Sequence, residues 1–236
     1  MKKFLVLFIL LATVAFSGCV ARKIPGEYAF YSTKSPSLTV QFNELKYQGE
    51  YKATINAANI HTYFYADSEG GKGAWIEILD VRQDWNVRPK RVPGKNFPNT
   101  GVFTRKIAGE DYYCRSFLIL PGRDKTSPES LPDYTAVRIY SKLISTKKKI
   151  SIGFAEKIDP ATAHSIFSHP DYEGLTKEQK DFFAAFDQKA DTALMLHKFQ
   201  QNDITDEIKT AVTIKEPWYK STDFMPIDQQ VGKVQR

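Results

Sequence analysis

Between residues 27 and 158, hydrophobic and polar positions alternate with a period of two. Leu38, Val40 and Phe42 are separated by Thr39 and Gln41; Tyr51, Ala53 and Ile55 by Lys52 and Thr54; Ile60, Thr62 and Phe64 by His61 and Tyr63. Successive side chains of a strand point to opposite faces, so this spacing predicts half-buried strands. The pattern returns where Val137, Ile139 and Leu143 alternate with Arg138, Tyr140 and Lys142, and where Ile150, Ile152 and Phe154 alternate with Ser151 and Gly153. The polar stretch 145–149 between those runs reads as a hairpin turn. Further strands are expected around 75–81, 102–107 and 112–120. Short connections with few helical stretches point to an antiparallel meander rather than parallel units.

At Asp159-Pro160 the period changes. An acceptor side chain followed by proline at the first helical position starts a helix, predicted over 160–167 and stopped by His169-Pro170. Thr176 and Gln179 have the spacing of a capping box. After them Phe182, Phe183, Phe186, Ala190, Ala193, Leu194 and His197 recur three and four apart to about Phe199. The stripe predicts a long amphipathic helix on one face of the sheet, with one more short helix after Thr205. The expected fold class is therefore α+β: an antiparallel β-meander sheet over about 27–158, packed by a long C-terminal amphipathic helix, with helices over about 160–212. The proline- and glycine-rich stretch 87–101 reads as a surface loop. Residues 227–236 read as a flexible tail.

Ahead of the domain, Lys2 and Lys3 precede an apolar run of thirteen residues, Phe4 to Phe16, which leads into Ser17-Gly18-Cys19. A spanning helix needs about 20 apolar residues, so the run is too short to cross; its charged, apolar and small-residue order is that of a secretory signal peptide. Phe16-Ser17-Gly18-Cys19 resembles the lipobox of bacterial lipoprotein precursors, with phenylalanine where that family more often has leucine. The resemblance covers the first twenty residues. It implies removal of 1–18, a diacylglycerol on the sulfur of Cys19, and an acyl group on the new amino terminus. Cys19 is thus the expected lipid attachment site, 19–26 a lipidated cysteine with a short tether, and the domain extracytoplasmic. In that family aspartate after the cysteine tends to retain the protein in the inner membrane. Val20 stands here, so in a bacterium with two membranes the outer membrane, facing the periplasm, is favoured. Two or more acyl chains anchor lastingly, because each buried methylene adds about 0.8 kcal/mol. A tether ending near Glu27 reaches at most about 25 Å; its Arg22 and Lys23 read plainly as a solvated leader and also suit anionic headgroups.

Composition adds limits. Charged residues at 25% and hydrophobic ones at 42% are those of an ordinary globular chain, which excludes disorder over most of its length. The 218 residues left after 1–18 suit a single domain, 27–226. Losing Lys2 and Lys3 leaves 31 basic against 27 acidic residues, too mild a balance to argue for nucleic acid. With Cys19 lipidated, Cys114 has no partner for an internal disulfide. Its place beside Ser116 and Leu118 reads as a small buried apolar residue.

Candidate chemistry is sparse. His61 alternates outward on its strand and His197 ends the helical stripe. His164, His169 and Asp171 meet where a proline interrupts them, which reads as a helix terminator rather than a zinc site. There is no G-x-S-x-G elbow and no histidine partner for Cys114; Gly70-Gly71-Lys72-Gly73 lacks the spacing and hydroxyl of a phosphate loop. No carboxylate pair has a spacing that identifies hydrolysis. Neither a catalytic residue nor a metal is expected, and no cofactor beyond the covalent lipid. One surface feature is basic: Arg82, Arg88, Lys90, Arg91 and Lys95, with Trp85 and Phe97 nearby, read first as a solvated loop, and as the sharper alternative suit anionic lipid or an acidic glycan. Lys147 to Lys149 sit at a hairpin tip and keep an edge soluble. The expectation is a membrane-anchored lipoprotein that contacts other envelope proteins without catalysis. A module for a lipid or small apolar ligand is the alternative, since aromatic residues at 13% suit a pocket as well as a core. A hydrolase with an unrecognised site has no positive feature.

Overall fold

The computed structural model describes residues 22–55, 58–81, 100, 103–119, 134–167, 173–215 and 217–219. They are mostly strand, arranged in two antiparallel sheets with two α-helices. The smaller sheet contains β1 (Lys23–Pro25), β2 (Ala29–Ser32), β3 (Leu38–Phe42) and the late strand β11 (Leu194–His197), in the order β1-β2-β3-β11. The larger contains β4 (Lys46–Ile55), β5 (Ala58–Ala66), β6 (Lys72–Val81), β7 (Phe103–Ile107), β8 (Glu110–Ile119), β9 (Thr135–Ser145) and β10 (Lys148–Lys157).

The larger sheet is not one continuous meander. Its order, β4-β5-β6-β10-β9-β8-β7, joins two meanders through β6 and β10, which pair from Asp80↔Lys148 to Lys72↔Glu156. Those two strands carry dense apolar runs, Ala74 to Leu79 and Ile150 to Ala155, interrupted mainly by Glu77, Ser151 and Gly153. A strand of that composition gains most where both faces are covered, and mid-sheet pairing supplies that place.

The expected alternation is seen in β4, where Lys52 and Thr54 are exposed and Tyr51 and Ala53 partly buried, but coverage of both faces overturns the half-buried expectation in β5, β6 and β10. Tyr63, Phe64 and Tyr65 are consecutive, and none is more than 2% exposed. On one face Tyr63, Tyr65, Ile76, Ile152 and Phe154 share a core with Phe30, Val40 and Phe42 of the smaller sheet. The ring centroids of Phe42 and Tyr65 stack 3.8 Å apart, and those of Phe30 and Tyr63 lie 4.7 Å apart. On the other face Phe64, Trp75, Phe117 and Val137 pack with Tyr219, whose ring lies 6.0 Å from Phe64 and 6.3 Å from Trp75. Trp75 lies across Gly153 of the neighbouring strand, where a Cβ would overlap the indole.

Both helix starts follow the sequence. The helix α1 (Pro160–Phe167) opens with Asp159 Oδ2 accepting from the Thr162 N–H at 2.8 Å. In α2 (Lys177–Ala193) the capping box is complete: the Gln179 N–H donates to Thr176 Oγ1 at 3.3 Å and the Thr176 N–H to Gln179 Oε1 at 2.8 Å. Phe183, Phe186 and Ala190 are its buried residues, and the Phe186 ring lies 5.9 Å from Phe154 of β10. The end of α2 does not follow. Instead of running to about Phe199, the chain becomes extended at Leu194, and β11 pairs with β3 from Leu194↔Phe42 to His197↔Thr39. An open strand edge offers a full row of backbone hydrogen bonds, and 194–197 takes it with Leu194 inward and Met195 outward. The short helix expected after Thr205 is replaced by a 3-10 turn at Gln201–Asp203 and by non-helical chain that bridges Gly26↔Ile208 and Glu50↔Thr213. At the other end, β1 takes Lys23–Pro25 out of the segment expected as tether and pairs it with β2. No described helix is long and apolar enough to cross a membrane.

Candidate functional site

Of the residues singled out in the sequence, Cys19, Arg82, Arg88, Lys90, Arg91 and Lys95 lie outside the described residues, as do Trp85, Phe97, His169 and Asp171, and the expected tail 227–236. The polar groups that the fold does bring together were mostly not legible as sites.

The most connected cluster surrounds Arg138. Strand alternation places Arg138 and Tyr140 on the outward face of β9, yet they are only 2% and 1% exposed, with Asp187 and Asp191 of α2 against their polar ends. Asp187 and Asp191, one helical turn apart, meet the guanidinium: Nη1 is 2.6 Å from Asp187 Oδ1 and Nε 3.2 Å from Asp191 Oδ1. Arg138 also donates from Nε to the Tyr140 hydroxyl at 2.8 Å and from Nη1 to Ser116 Oγ at 3.1 Å. The Ser116 and Tyr140 hydroxyls donate in turn to Asp187 and Asp191, and Arg105 pairs with Asp191 from β7. The guanidinium stands 5.3 Å and 5.2 Å from the Phe103 and Tyr140 ring centroids. Burial opposes the Arg138 charge, but Tyr140, Asp187 and Asp191 outweigh it and hold the group more firmly protonated than usual. Burial likewise holds Tyr140 as a phenol. Two guanidiniums face two carboxylates, so the cluster is balanced, and its bonds join β7, β8 and β9 to α2. Cys114 lies alongside, fully buried as its strand position predicts. Burial pushes its thiol up to about 11, which leaves no nucleophilic thiolate at neutral pH.

A second cluster corrects the outward placement of His61. Pairing of Lys52 with His61 and of Glu50 with Tyr63 sets Glu50 diagonal to the imidazole. His61 Nε2 is 2.8 Å from Glu50 Oε2, its Nδ1 is 3.2 Å from the Tyr63 hydroxyl, and Lys52 pairs with the same carboxylate. Burial depresses the His61 pKa against the pull of Glu50. Burial raises Glu50, but hydrogen bonds from Lys52 and His61 prevail and leave it below its ordinary value. The hydroxyl–imidazole–carboxylate order has the form of a catalytic triad. Its terminal group is a phenol that burial and Glu50 keep protonated, so the arrangement does not generate a nucleophile.

On the opposite face Thr62, Glu77, Ser151 and Ser141 stand in register across β5, β6, β10 and β9, with the two serine oxygens 3.2 Å apart. All four are buried, as are Arg115 and Lys149 on the same face. Lys149 therefore does not belong to the hairpin tip; it is the second residue of β10 and turns inward.

A further feature is a cleft of about 390 Å³ between α2 and the connection from β3 to β4. Leu45, Phe154 and Ala185 line its apolar part, and Glu44, Lys72 and Lys189 its polar part. His164 meets the Tyr134 hydroxyl at 3.2 Å, and His197 on β11 has Nδ1 3.6 Å from Asp203 Oδ2. Among the described residues no three His, Cys, Asp or Glu side chains are placed to hold a metal ion. No protein-family model, curated protein or solved structure matches this chain.

One signal for the Arg138 cluster was present in the sequence. Asp187 and Asp191 are four apart and flank the phenylalanine stripe of α2, the position from which a helix reaches a charge on the surface beneath it.

Proposed function

We propose that this chain is a membrane-anchored extracytoplasmic lipoprotein, held by acyl chains on Cys19, that works through contacts with other envelope components rather than by turnover. The observation that carries this reading is the N-terminal order of two lysines, thirteen apolar residues and Ser17-Gly18-Cys19, with strand β1 beginning at Lys23. Acyl chains on Cys19 would then hold a folded body close against the bilayer, facing the periplasm from the outer membrane where the source has two membranes. In this reading α2 is the amphipathic cover of one face of the large sheet, supported by Phe186 against Phe154 and by Asp187 against Arg138. The contact role is supported by how the polar clusters are used: Arg138 ties helix to sheet, and Glu50 ties β4 to β5. The test is mass spectrometry of the N-terminal peptide from the membrane fraction. Diacylglycerol and N-acyl mass on Cys19 is expected, and Cys19→Ala leaves an unlipidated precursor. The same acyl mass on the Cys19→Ala chain overturns the anchor.

A second reading, a module for a lipid or small apolar ligand, is favoured by the cleft beside α2 with its apolar part at Leu45, Phe154 and Ala185. Native mass spectrometry separates the two. Extra mass lost on denaturation supports a carrier, and a bare protein mass supports the contact role.

A further inference from the structure

We infer that the end of the large sheet at which the chain from Cys19 enters the fold is a docking surface for the anionic phospholipid headgroups of the membrane that carries the anchor. The inference rests on the lipoprotein reading and adds to it an orientation and a lipid class.

Reach is the first argument. Only Val20, Ala21 and Arg22 separate Cys19 from β1, and three residues span at most about 11 Å. Whatever surrounds the start of β1 is therefore held at the bilayer. Position is the second. Lys23 Nζ donates to the carbonyls of Lys34 at 2.6 Å and Ser35 at 3.3 Å, and the Arg22 N–H donates to Thr33 Oγ1 at 3.0 Å, so the loop after β2 is at this end. The β9–β10 turn is there too. The Tyr65 hydroxyl donates to Ala29 O at 2.9 Å and the Phe30 ring lies 4.7 Å from Tyr63, so β2 follows β5 from residue 65 toward residue 58, which brings Ser32 and its partner Lys23 toward the end of β6 at Asp80 and Val81. There the Val81 N–H donates to the Lys147 carbonyl at 2.9 Å, and burial with the nearby Lys148 charge depresses Lys23 to about 8, against Asp80. Arg22, Lys23, Lys34, Lys147 and Lys148 thus gather where the tether begins.

Charge is the third argument. Arg22, Lys34 and Lys147 are exposed and have no ion-pair partner among the described residues. Lys148 pairs with Asp80 at 3.2 Å, and farther along the end Lys142 pairs with Glu110, which Lys198 also influences. Basic groups outnumber these two carboxylates. At the opposite end the β5–β6 turn carries Asp67 and Glu69. A sheet end with exposed cations next to a lipid anchor is oriented by an anionic surface. Each basic residue near such a surface contributes about a fivefold bias, which fades within a Debye length of about 8–10 Å.

The experiment uses the full lipidated chain in vesicles containing phosphatidylglycerol, with a fluorescent donor on Thr146→Cys or on Ser68→Cys and an acceptor on the headgroups. Transfer is expected to be stronger from 146 than from 68. The excess from 146 should shrink, to what the short tether alone imposes, in phosphatidylcholine vesicles, in about 0.5 M salt, and in K34E/K147E, for which the docked-to-undocked ratio should drop about twenty-five-fold or more. Salt and neutral lipid need no variant, so misfolding of K34E/K147E does not decide the outcome. Equal transfer from both positions, or transfer from 146 that none of the three changes moves, overturns the docking surface. The N-terminal mass of the same preparation separates the failures: acyl mass with equal transfer sinks the orientation alone, and absent acyl mass sinks the anchor and the orientation with it.

Discussion

Arg138 carries a charge at 2% exposure, and its compensation comes from residues about fifty positions later in the chain. Removing one member of such a group leaves the others desolvated and unmatched, which costs more than the pair contributes when intact. Arg138→Ala is therefore expected to lower the unfolding free energy by about 3–5 kcal/mol in urea titration, because Asp187 and Asp191 lose their main partner. A loss below about 1 kcal/mol would show that water replaces the guanidinium and that α2 is held by its phenylalanines alone. The residue was visible in the sequence, but its role was not. Alternation assigned Arg138 and Tyr140 to the outward face, and a period-two pattern reports which residues share a face without reporting what covers it. His61 was misplaced for the same reason, since Glu50 reaches it through the β4–β5 register. Cys114 was placed well, because a small apolar residue flanked by Ser116 and Leu118 needs only a core on its side.

At the scale of elements, the crossing of β6 and β10 depends on close approach. Trp75 spreads over the backbone of Gly153, and no side chain fits between them. Gly153→Ala is expected to destabilise the protein by about 1–3 kcal/mol through overpacking and to alter tryptophan fluorescence in the folded state. An unchanged unfolding midpoint would mean that the indole moves aside at no cost. Elements that depend on short-range chemistry were readable: the strand runs, the hairpin near 145–149, the Asp159-Pro160 start and the Thr176–Gln179 box. The end of α2 was not. Leu194 and His197 continue a helical spacing from Ala190 and Ala193, yet they also alternate as a strand, and a four-residue window satisfies both periods. The free edge of β3, more than 150 residues earlier, decides between them.

At the scale of the whole molecule, the Glu50–His61 pair links the sheet to the C-terminal segment, because the Glu50 N–H donates to Val212 O at 2.7 Å and Glu50 O accepts from the Ile214 N–H at 3.0 Å. Both side chains titrate below their ordinary values of 4.5 and 6.5. In the unfolded chain His61 takes up a proton below about pH 6.5, which the native state resists. Its stability contribution is therefore complete above that pH and is lost as pH falls through the folded value; Glu50 adds a second loss below about pH 4.5. Thermal midpoints should be flat from pH 7 to 8 and decline below about pH 6, and His61→Gln should remove the earlier part of that decline. A decline that His61→Gln leaves intact would assign it to other groups. By itself the sequence determined the strand alternation, the helix starts, the thiol's burial and the N-terminal run ending at Cys19, because each is encoded within a few neighbouring residues. Only the tertiary structure decided which strands meet in mid-sheet, that both faces are covered, where α2 stops, and that Arg138 and His61 turn inward. Those outcomes depend on burial and pairing energies between segments far apart in the chain, which no local window of residues contains.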